Sequence, residues 1–309
     1  MKQYKKGAKT ADSILRSHPE HGETLAMKGL VLSFLSRKAE ARDLVRLGVR
    51  HDLRSHLCWH VYGVVCRGDG EYDEAVKCYK NALRLDPSNV TVLKDLAALQ
   101  VHLRDAHGLC ATRQSLLELK PSQRTNWLAL AVAHHLSSHH EVAASVLASY
   151  ASTLELRTIE AEPYEHSEVL LYRAEILREG GRAGEALEAL EAAEKQGFLR
   201  DPVGSARLRA RLLRETGAFE ASREAFEKLL DLTPDDREVH DALREIVEEE
   251  IKERLGGEAG DDPSDADASF SSALETRLTA LYRLLQERHP RSLAVRRVPL
   301  DFASGQAFE

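Results

Sequence analysis

Residues 59–87 read WHVYGVVCRGDGEYDEAVKCYKNALRLDP, and the spacing of the apolar residues in this stretch indicates the fold of the chain. Bulky and small apolar residues fall at the offsets expected for two helices joined by a short turn, in a unit of about 34 residues. The residues at those offsets are Trp59, Tyr62, Gly63, Cys66, Ala75, Tyr79, Ala82 and Pro87.

The same pattern recurs when the sequence is stepped by one unit in either direction. One step back, Leu25 takes the place of Trp59, and Gly29 takes the place of Gly63. One step forward gives Leu93 with Ala97, and a second step gives Trp127 with Ala131, followed by Ala143. This register is typical of tetratricopeptide repeats, and it predicts an all-α superhelix built from stacked helix pairs.

Gly29, Gly63, Ala97 and Ala131 occupy the position where the first helix of a unit crosses the second. A bulky side chain there would push the two helices apart. We therefore interpret Gly29 as structural, and we expect Gly29→Leu to cost about 1–3 kcal/mol of stability.

The register shifts after an insertion near 151–163 and then resumes, with Ala174 at the small position. We predict a single array of about seven helix pairs, truncated at both ends. Its repeats lie near 22–55, 56–89, 90–123, 124–157, 167–200, 203–236 and 237–290. Residues 1–19 resemble the second helix of a further unit, and a new helix begins near the last residues.

Composition excludes several classes of protein. The chain has 309 residues, of which 43% are hydrophobic, so global disorder is not expected. The four cysteines have no spacing typical of a disulfide framework or a zinc knuckle, which predicts small buried side chains in a reducing compartment. No stretch approaches the length of a membrane span. The default location is the cytoplasm, although the lysine-rich start also allows a mitochondrial presequence.

Charge is unevenly distributed along the sequence. Residues 248–267 contain nine acidic and two basic residues. Residues 256–270, which overlap this stretch, are predicted to form a disordered acidic loop. The loop is either a solvated spacer or a docking site for a basic partner. The first 55 residues are instead basic, and they offer a candidate contact with ribosomal RNA; the alternative is a solvated helix face. The candidate residues are Lys2, Lys5, Lys6, Lys9, Arg42, Arg46 and Arg50.

Two motifs suggest chemistry, but neither has the context that the chemistry needs. REGGRA at 178–183 fits an acetyl-coenzyme A signature, R-x-x-G-x-A, yet the preceding segment is predicted to be helical rather than a strand. His135 and His139 have a spacing that can hold zinc, but no third ligand is evident except Glu141. We therefore predict no catalytic, cofactor or metal site, and a polar helix end and turn at the histidines.

Several stretches resemble one family specifically. HGETLAMKGL at 21–30 is the most specific, because a generic tetratricopeptide unit does not require it. Further similar stretches are KQYKKGAKTADSIL, SHLCWHVYGVV, YDEAVKCYKNALRLDP, KDLAALQ, EVLLYRAEILREGGRAGEAL and RRVPLDFASGQAFE. Together they resemble the N-terminal portion of the large auxiliary subunit of NatA, an N-terminal acetyltransferase complex.

This resemblance implies a non-catalytic scaffold that positions a catalytic subunit of the GNAT fold and tethers it to ribosomes. It also implies two further partners, a small huntingtin-interacting regulator and a second acetyltransferase. Two alternatives remain: a co-chaperone adaptor, whose carboxylate clamp has no matching residues in KGLVL, KDLAA and TNWLA, and an enzyme using 178–183. The acidic stretch 256–270 does not resemble the family.

Overall fold

The computed structural model describes residues 2–256 and 263–303, and these residues form seventeen helices and no strands. The predicted all-α class is confirmed. The chain divides into two compact units, residues 1–146 and 147–309, with the boundary inside one helix. None of the described helices combines the length and the apolar composition needed to cross a membrane.

Unit 1 contains the helices whose spacing is most regular. They are α1 (Lys2–Ser17), α2 (Gly22–Phe34), α3 (Lys38–His51), α4 (His56–Gly68), α5 (Tyr72–Leu85), α6 (Val90–His102), α7 (Ala106–Leu119), α8 (Arg124–Leu136) and the start of α9 (His140–Ser152). First helices begin at 22, 56, 90 and 124, and second helices begin at 38, 72, 106 and 140. Both series therefore repeat at the interval read from the sequence.

Unit 2 contains the end of α9 and the remaining helices. They are α10 (Leu156–Ala161), α11 (Pro163–Glu179), α12 (Ala183–Lys195), α13 (Pro202–Glu215), α14 (Phe219–Leu232), α15 (Arg237–Gly256), α16 (Pro263–Arg288) and α17 (Leu293–Ala303). The inserted helix α10 lies within the stretch 151–163 where the register shifts. The new helix predicted near the last residues is α17.

The predicted acidic loop at 256–270 is wrong where the structure describes it, because α16 begins at Pro263. Residues 257–262 lie outside the described part of the chain. Proline is well tolerated at the first position of a helix, where its missing N–H would have no partner in any case. Composition alone does not reveal this effect at the helix start.

Three of the four first helices of unit 1 begin with the same kind of side-chain hydrogen bond, whereas α8 has no side-chain cap at Gln123. The Nδ1 atom of His21 accepts from the Thr24 amide at 3.2 Å, Ser55 Oγ accepts from the Cys58 amide at 3.3 Å, and Asn89 Oδ1 accepts from the Val92 amide at 3.2 Å. The three capping residues lie one repeat apart. Each satisfies an amide that has no partner within its own helix.

The tryptophans at the repeat anchors also make one shared contact. Trp59 Nε1 donates to the Leu53 carbonyl at 3.0 Å, and Trp127 Nε1 donates to the Pro121 carbonyl at 2.8 Å. Both acceptors lie six residues earlier, within the connection from the preceding repeat. The indole therefore ties each first helix to the chain that leads into it.

The small residues lie where the two helices of a repeat meet, as predicted. Ala75, Ala97, Ala131 and Ala174 are fully buried. A Cβ atom added to Gly29 would lie 2.5 Å from Val45 Cγ2 and 2.7 Å from the Ala41 carbonyl oxygen, and one added to Gly63 would lie 2.5 Å from the Tyr79 ring. Both glycines are therefore required by close packing. All four cysteines are free and buried, which confirms their prediction as small core side chains.

We expect Gly29→Ala to lower the stability of the protein although alanine favours helices. The new methyl group would meet the α3 backbone, which cannot move without separating the helix pair, and the overpacking should cost about 1–3 kcal/mol. The matched control is Gly184→Ala in α12, where an added Cβ meets nothing within 4 Å. The control should be neutral or stabilising by up to about 1 kcal/mol. Thermal unfolding of the two variants compares them, and equal melting temperatures would contradict the packing account.

Candidate interaction surfaces

Of the residues predicted to contact RNA, the lysines of α1 form the more basic surface. Lys5, Lys6 and Lys9 are all exposed, whereas the side chain of Lys2 lies outside the described residues. The only acidic residue of α1 is Asp12, and its carboxylate is paired with Lys28 at 2.7 Å. Because no carboxylate of α1 is left to neutralise the lysines, this face can attract phosphate groups.

The three predicted arginines of α3 do not form a comparable surface. The guanidinium of Arg42 forms an ion pair with Glu71, and Arg46 Nε donates to the Tyr62 hydroxyl at 3.1 Å. Both partners belong to the next repeat, in α4 and at the start of α5. Of the three arginines, Arg50 is exposed, and no contact of its side chain with the next repeat is described. Two of these three arginines, which follow one another at intervals of four residues along α3, therefore join two repeats.

A groove of about 500 Å³ beside Arg46 has mixed charge. Lys77 and Arg46 line it together with Glu71, Asp73 and Glu74. Three acidic residues outnumber the two basic residues in this groove, so it does not favour a polyanion. Among the seven predicted RNA contacts, the structure thus separates the α1 lysines from the α3 arginines.

Unit 2 contains a groove of about 630 Å³ between α13, α14 and α15 that the sequence analysis did not identify. Its apolar lining consists of Phe219, Phe226, Val239 and Ala242. Arginines of α13 and carboxylates of α15 form its charged walls; the residues are Arg207, Arg211, Arg214, Glu238, Glu245 and Glu249. The sequence does carry a signal for this groove. Three arginines lie within two turns of α13, and carboxylates follow one helix pair later, in α15.

The charged walls of this groove differ in how firmly they are held. Arg214 donates to Glu249 at 2.7 and 3.0 Å and to Glu245 at 2.6 Å, so its guanidinium has a fixed orientation. Arg211 approaches Glu238 only at 3.5 Å, and the side chain of Glu238 is 69% exposed. A partner could therefore replace the Arg211–Glu238 contact at little cost, while Arg214 stays in place.

The acidic stretch that begins at residue 248 is partly built into unit 2. Glu250 is almost fully buried and pairs with Arg277 at 2.7 Å and with Arg223 at 3.3 Å. Glu248 is bound by Arg244 at 3.0 Å. Glu250 thus holds α14 and α16 against α15, while the Glu248–Arg244 pair lies within α15 itself. The start of the acidic run is therefore built into the fold through ion pairs.

REGGRA at 178–183 lies at the turn between α11 and α12. The segment before it is helical, which confirms that prediction, and Gly181 has a φ of +75°. Arg178 donates to Glu175 at 2.7 Å and to Glu215 at 2.8 Å, and Arg182 donates to Glu185 at 2.6 Å. Both arginines are thus held by carboxylates of the chain and are not directed at a pyrophosphate.

His135 and His139, whose spacing was considered in the sequence, do not occur together in a group of three possible ligands among the described residues. The ring of His139 instead lies beside that of His134, with ring centroids 5.9 Å apart. Cys110 of α7 completes a group of three potential ligand atoms within 4.8 Å of one another. The sequence did not reveal this group because Cys110 lies on a different repeat, more than twenty residues away.

Two family models match the chain. The model for the auxiliary subunit of N-terminal acetyltransferase A matches residues 164–309, and the model for the N-terminal tetratricopeptide-repeat region of Psidin matches residues 1–230. The second match, together with the helix pairs, confirms the tetratricopeptide-repeat fold. The first match includes the groove of unit 2.

Curated relatives point the same way. The N-terminal acetyltransferase A complex auxiliary subunit NAA15 of Arabidopsis thaliana is 43% identical over the whole chain, which covers 33% of that protein. N-alpha-acetyltransferase 16, a NatA auxiliary subunit of Mus musculus, is 38% identical over 99% of the chain, which again covers 33% of the relative. The chain therefore spans about a third of the length of these relatives.

A solved structure described as Naa15/Naa10 bound to HypK-THB resembles the chain closely. The TM-score is 0.79 at 34% sequence identity, and the match covers 97% of this chain and 42% of the solved chain. Because the match extends over almost the whole chain, the resemblance concerns the helix arrangement as well as the repeat type.

We expect Arg42 and Glu71 to be coupled in stability, because their ion pair bridges two repeats and is only half exposed. A double-mutant cycle with Arg42→Gln and Glu71→Gln should give a coupling energy of about 0.5–1 kcal/mol. Arg50→Gln, on the same helix face, should show no coupling with Glu71→Gln. Additive effects of Arg42→Gln and Glu71→Gln in chemical denaturation would contradict the assignment of Arg42 to the repeat junction.

Proposed function

Because the chain belongs to the family of auxiliary subunits of N-terminal acetyltransferase A, we propose that it is part of a non-catalytic scaffold that holds a catalytic acetyltransferase subunit of the GNAT fold. The observation that carries this proposal is the match over 97% of the chain to Naa15 in a complex with Naa10. The family relationship also favours this function over a co-chaperone adaptor.

The scaffold acts through geometry. Each helix pair is held at a short distance by a small residue, and its first helix begins at a fixed capping residue in most repeats of unit 1. A partner therefore meets a surface whose side chains are already positioned, so less conformational entropy is lost on binding. Acetyl transfer to an α-amino group is assigned to the catalytic subunit, and this chain supplies the surface that orients that subunit.

The groove of unit 2 is our candidate contact with the catalytic subunit. It lies within the residues matched by the NatA auxiliary-subunit model, 164–309. Phe219 is only partly buried and offers an apolar contact, whereas Phe226 lies in the core behind it. The weakly held Arg211 and Glu238 offer charges of both signs at the rim. Interfaces of this kind combine a buried aromatic centre with a polar border.

The lysine face of α1 is our candidate contact with ribosomal RNA. Its three exposed ammonium groups lie on a helix that carries one acidic residue, and that residue is already paired. The arginines of α3 are a weaker candidate, because Arg42 and Arg46 are bound within the fold. A regulator of the huntingtin-interacting kind and a second acetyltransferase remain proposed partners; the solved relative is described as bound to HypK-THB.

The scaffold proposal predicts that the chain captures its catalytic subunit and retains it in high salt. At about 1 M salt the Debye length falls to about 3 Å, so contacts between exposed charges are screened while an apolar anchor persists. The measurement is co-purification of the two co-expressed chains, followed by titration of the complex. Arg211→Glu should weaken binding at least about tenfold, which corresponds to about 1.4 kcal/mol.

The control for this experiment is Arg209→Glu, the same charge reversal on α13. Arg209 pairs with Glu191 and Glu194 and lines a different groove. Equal losses in both variants would indicate a general charge effect and would remove the groove from the proposal. Failure of the unaltered chain to capture the catalytic subunit would contradict a scaffold role for this part of the family.

The ribosome proposal predicts that the triple variant Lys5→Gln, Lys6→Gln, Lys9→Gln loses cosedimentation with ribosomes. Affinity falls as salt rises, and removing three phosphate contacts should reduce the steepness of log affinity against log salt by about 2. Arg42→Gln is the comparison variant, and it should leave the slope unchanged while it lowers stability. If the lysine variant binds normally and Arg42→Gln does not, the contact lies on α3 instead.

A further inference from the structure

Three potential metal ligands meet where one repeat of unit 1 contacts the next. Cys110 lies on α7, His134 lies in the last turn of α8, and His139 lies directly before α9. One ligand atom from each side chain lies within 4.8 Å of the other two. Two imidazoles and a thiol are brought together from segments that are separated in the sequence.

The turn after α8 fixes the two histidines relative to each other. The His139 amide donates to the His134 carbonyl at 2.9 Å, which closes the end of the helix. Ser138 has a φ of +58°, and this left-handed residue reverses the chain so that the His139 ring returns beside the His134 ring. The backbone of this turn therefore brings His134 and His139 together.

The same junction is already bridged by side chains two repeats earlier. Arg42, Cys66 and Glu71 precede Cys110, His134 and His139 by 68 residues, which is twice the repeat interval. The Arg42–Glu71 ion pair joins the second helix of one repeat to the turn of the next. The repeat geometry thus places residues at the positions of Cys110 and His139 within bonding distance, and their chemistry decides how they are joined.

The chemistry of the later set is that of a zinc site. A thiolate and two imidazoles are preferred ligands of Zn²⁺, at about 2.3 Å for sulfur and 2.0–2.1 Å for nitrogen. Ligand atoms around a tetrahedral Zn²⁺ lie about 3.3–3.6 Å apart, so small side-chain rotations would close the present spacing. His134 Nδ1 is buried and has no hydrogen-bond partner among the described residues. A metal ion would satisfy such an atom.

Access to the site is one-sided. Cys110 is buried at 8% exposure, and its Sγ atom lies 3.4 Å from the Ser137 hydroxyl. His139 is exposed and forms the outer edge of the group. An ion can therefore enter from solvent past His139 and reach a thiol that bulky reagents do not contact.

We propose that Cys110, His134 and His139 bind one Zn²⁺ ion, which joins α7 to the end of α8 and the turn that follows it. Binding converts the Cys110 thiol to a thiolate and releases its proton to solvent, while each imidazole donates a ring-nitrogen lone pair. A water molecule takes the fourth position, since three protein ligands leave one open. The site is a metal counterpart of the Arg42–Glu71 bridge.

The test uses the purified chain, stripped with a chelator, and titrates it with Co²⁺ and Zn²⁺. Co²⁺ should give the visible bands of tetrahedral coordination together with a sulfur-to-metal charge-transfer band, and Zn²⁺ should abolish both at one equivalent. Zn²⁺ should also raise the melting temperature, because it binds the folded state. Cys110→Ser should remove the charge-transfer band and lower the affinity at least about tenfold, given that even outer-shell losses cost 10–100-fold.

His139→Gln is the second variant, because an exposed residue can be replaced without unfolding the chain, and it should lower the affinity to a similar degree. The control is His107→Gln, an exposed histidine one turn from Cys110 on α7, which should change nothing. The proposal is overturned if no charge-transfer band appears, or if folded Cys110→Ser and His139→Gln bind Zn²⁺ as tightly as the unaltered chain.

Discussion

The distance between the two helices of a repeat is set by a single small residue, and the rest of the structure depends on that distance. At Gly29 and Gly63 the partner helix approaches so closely that even one methyl group would overlap it. Ala97 and Ala131 hold the same position in later repeats and are fully buried. Because interiors are packed to a fixed density, the separation at this point determines where every other side chain of the pair can lie.

Once the pair distance is fixed, the junction between repeats becomes a position that can be filled with different chemistry. Residues 42 and 71 fill it with an ion pair, whereas residues 110, 134 and 139 fill it with a thiol and two imidazoles. In unit 2, carboxylates of α15 likewise form ion pairs with arginines of α13 and α14. The backbone pattern is common to the repeats, and the side chains at the junctions distinguish them.

The repeat interval, the all-helical class and the small crossing residues could be predicted because they depend on local spacing. Residues such as Gly63 and Trp59 recur at fixed positions, and one sequence is enough to reveal the period. The partners of charged side chains could not be predicted, since Arg42 finds its carboxylate in the next repeat and Glu250 finds arginines in α14 and α16. The start of α16 at Pro263 could not be predicted either, because the acidic, small-residue composition of its first residues resembles that of a loop.

We propose that this chain acts as a fixed surface for a catalytic acetyltransferase, with the groove of α13, α14 and α15 as the contact. Hydrogen–deuterium exchange of the chain, with and without the catalytic subunit, measures this contact helix by helix. We expect slower exchange in α13 and α15 on binding and unchanged exchange in α1. Protection confined to unit 1, or no protection anywhere in the chain, would contradict it.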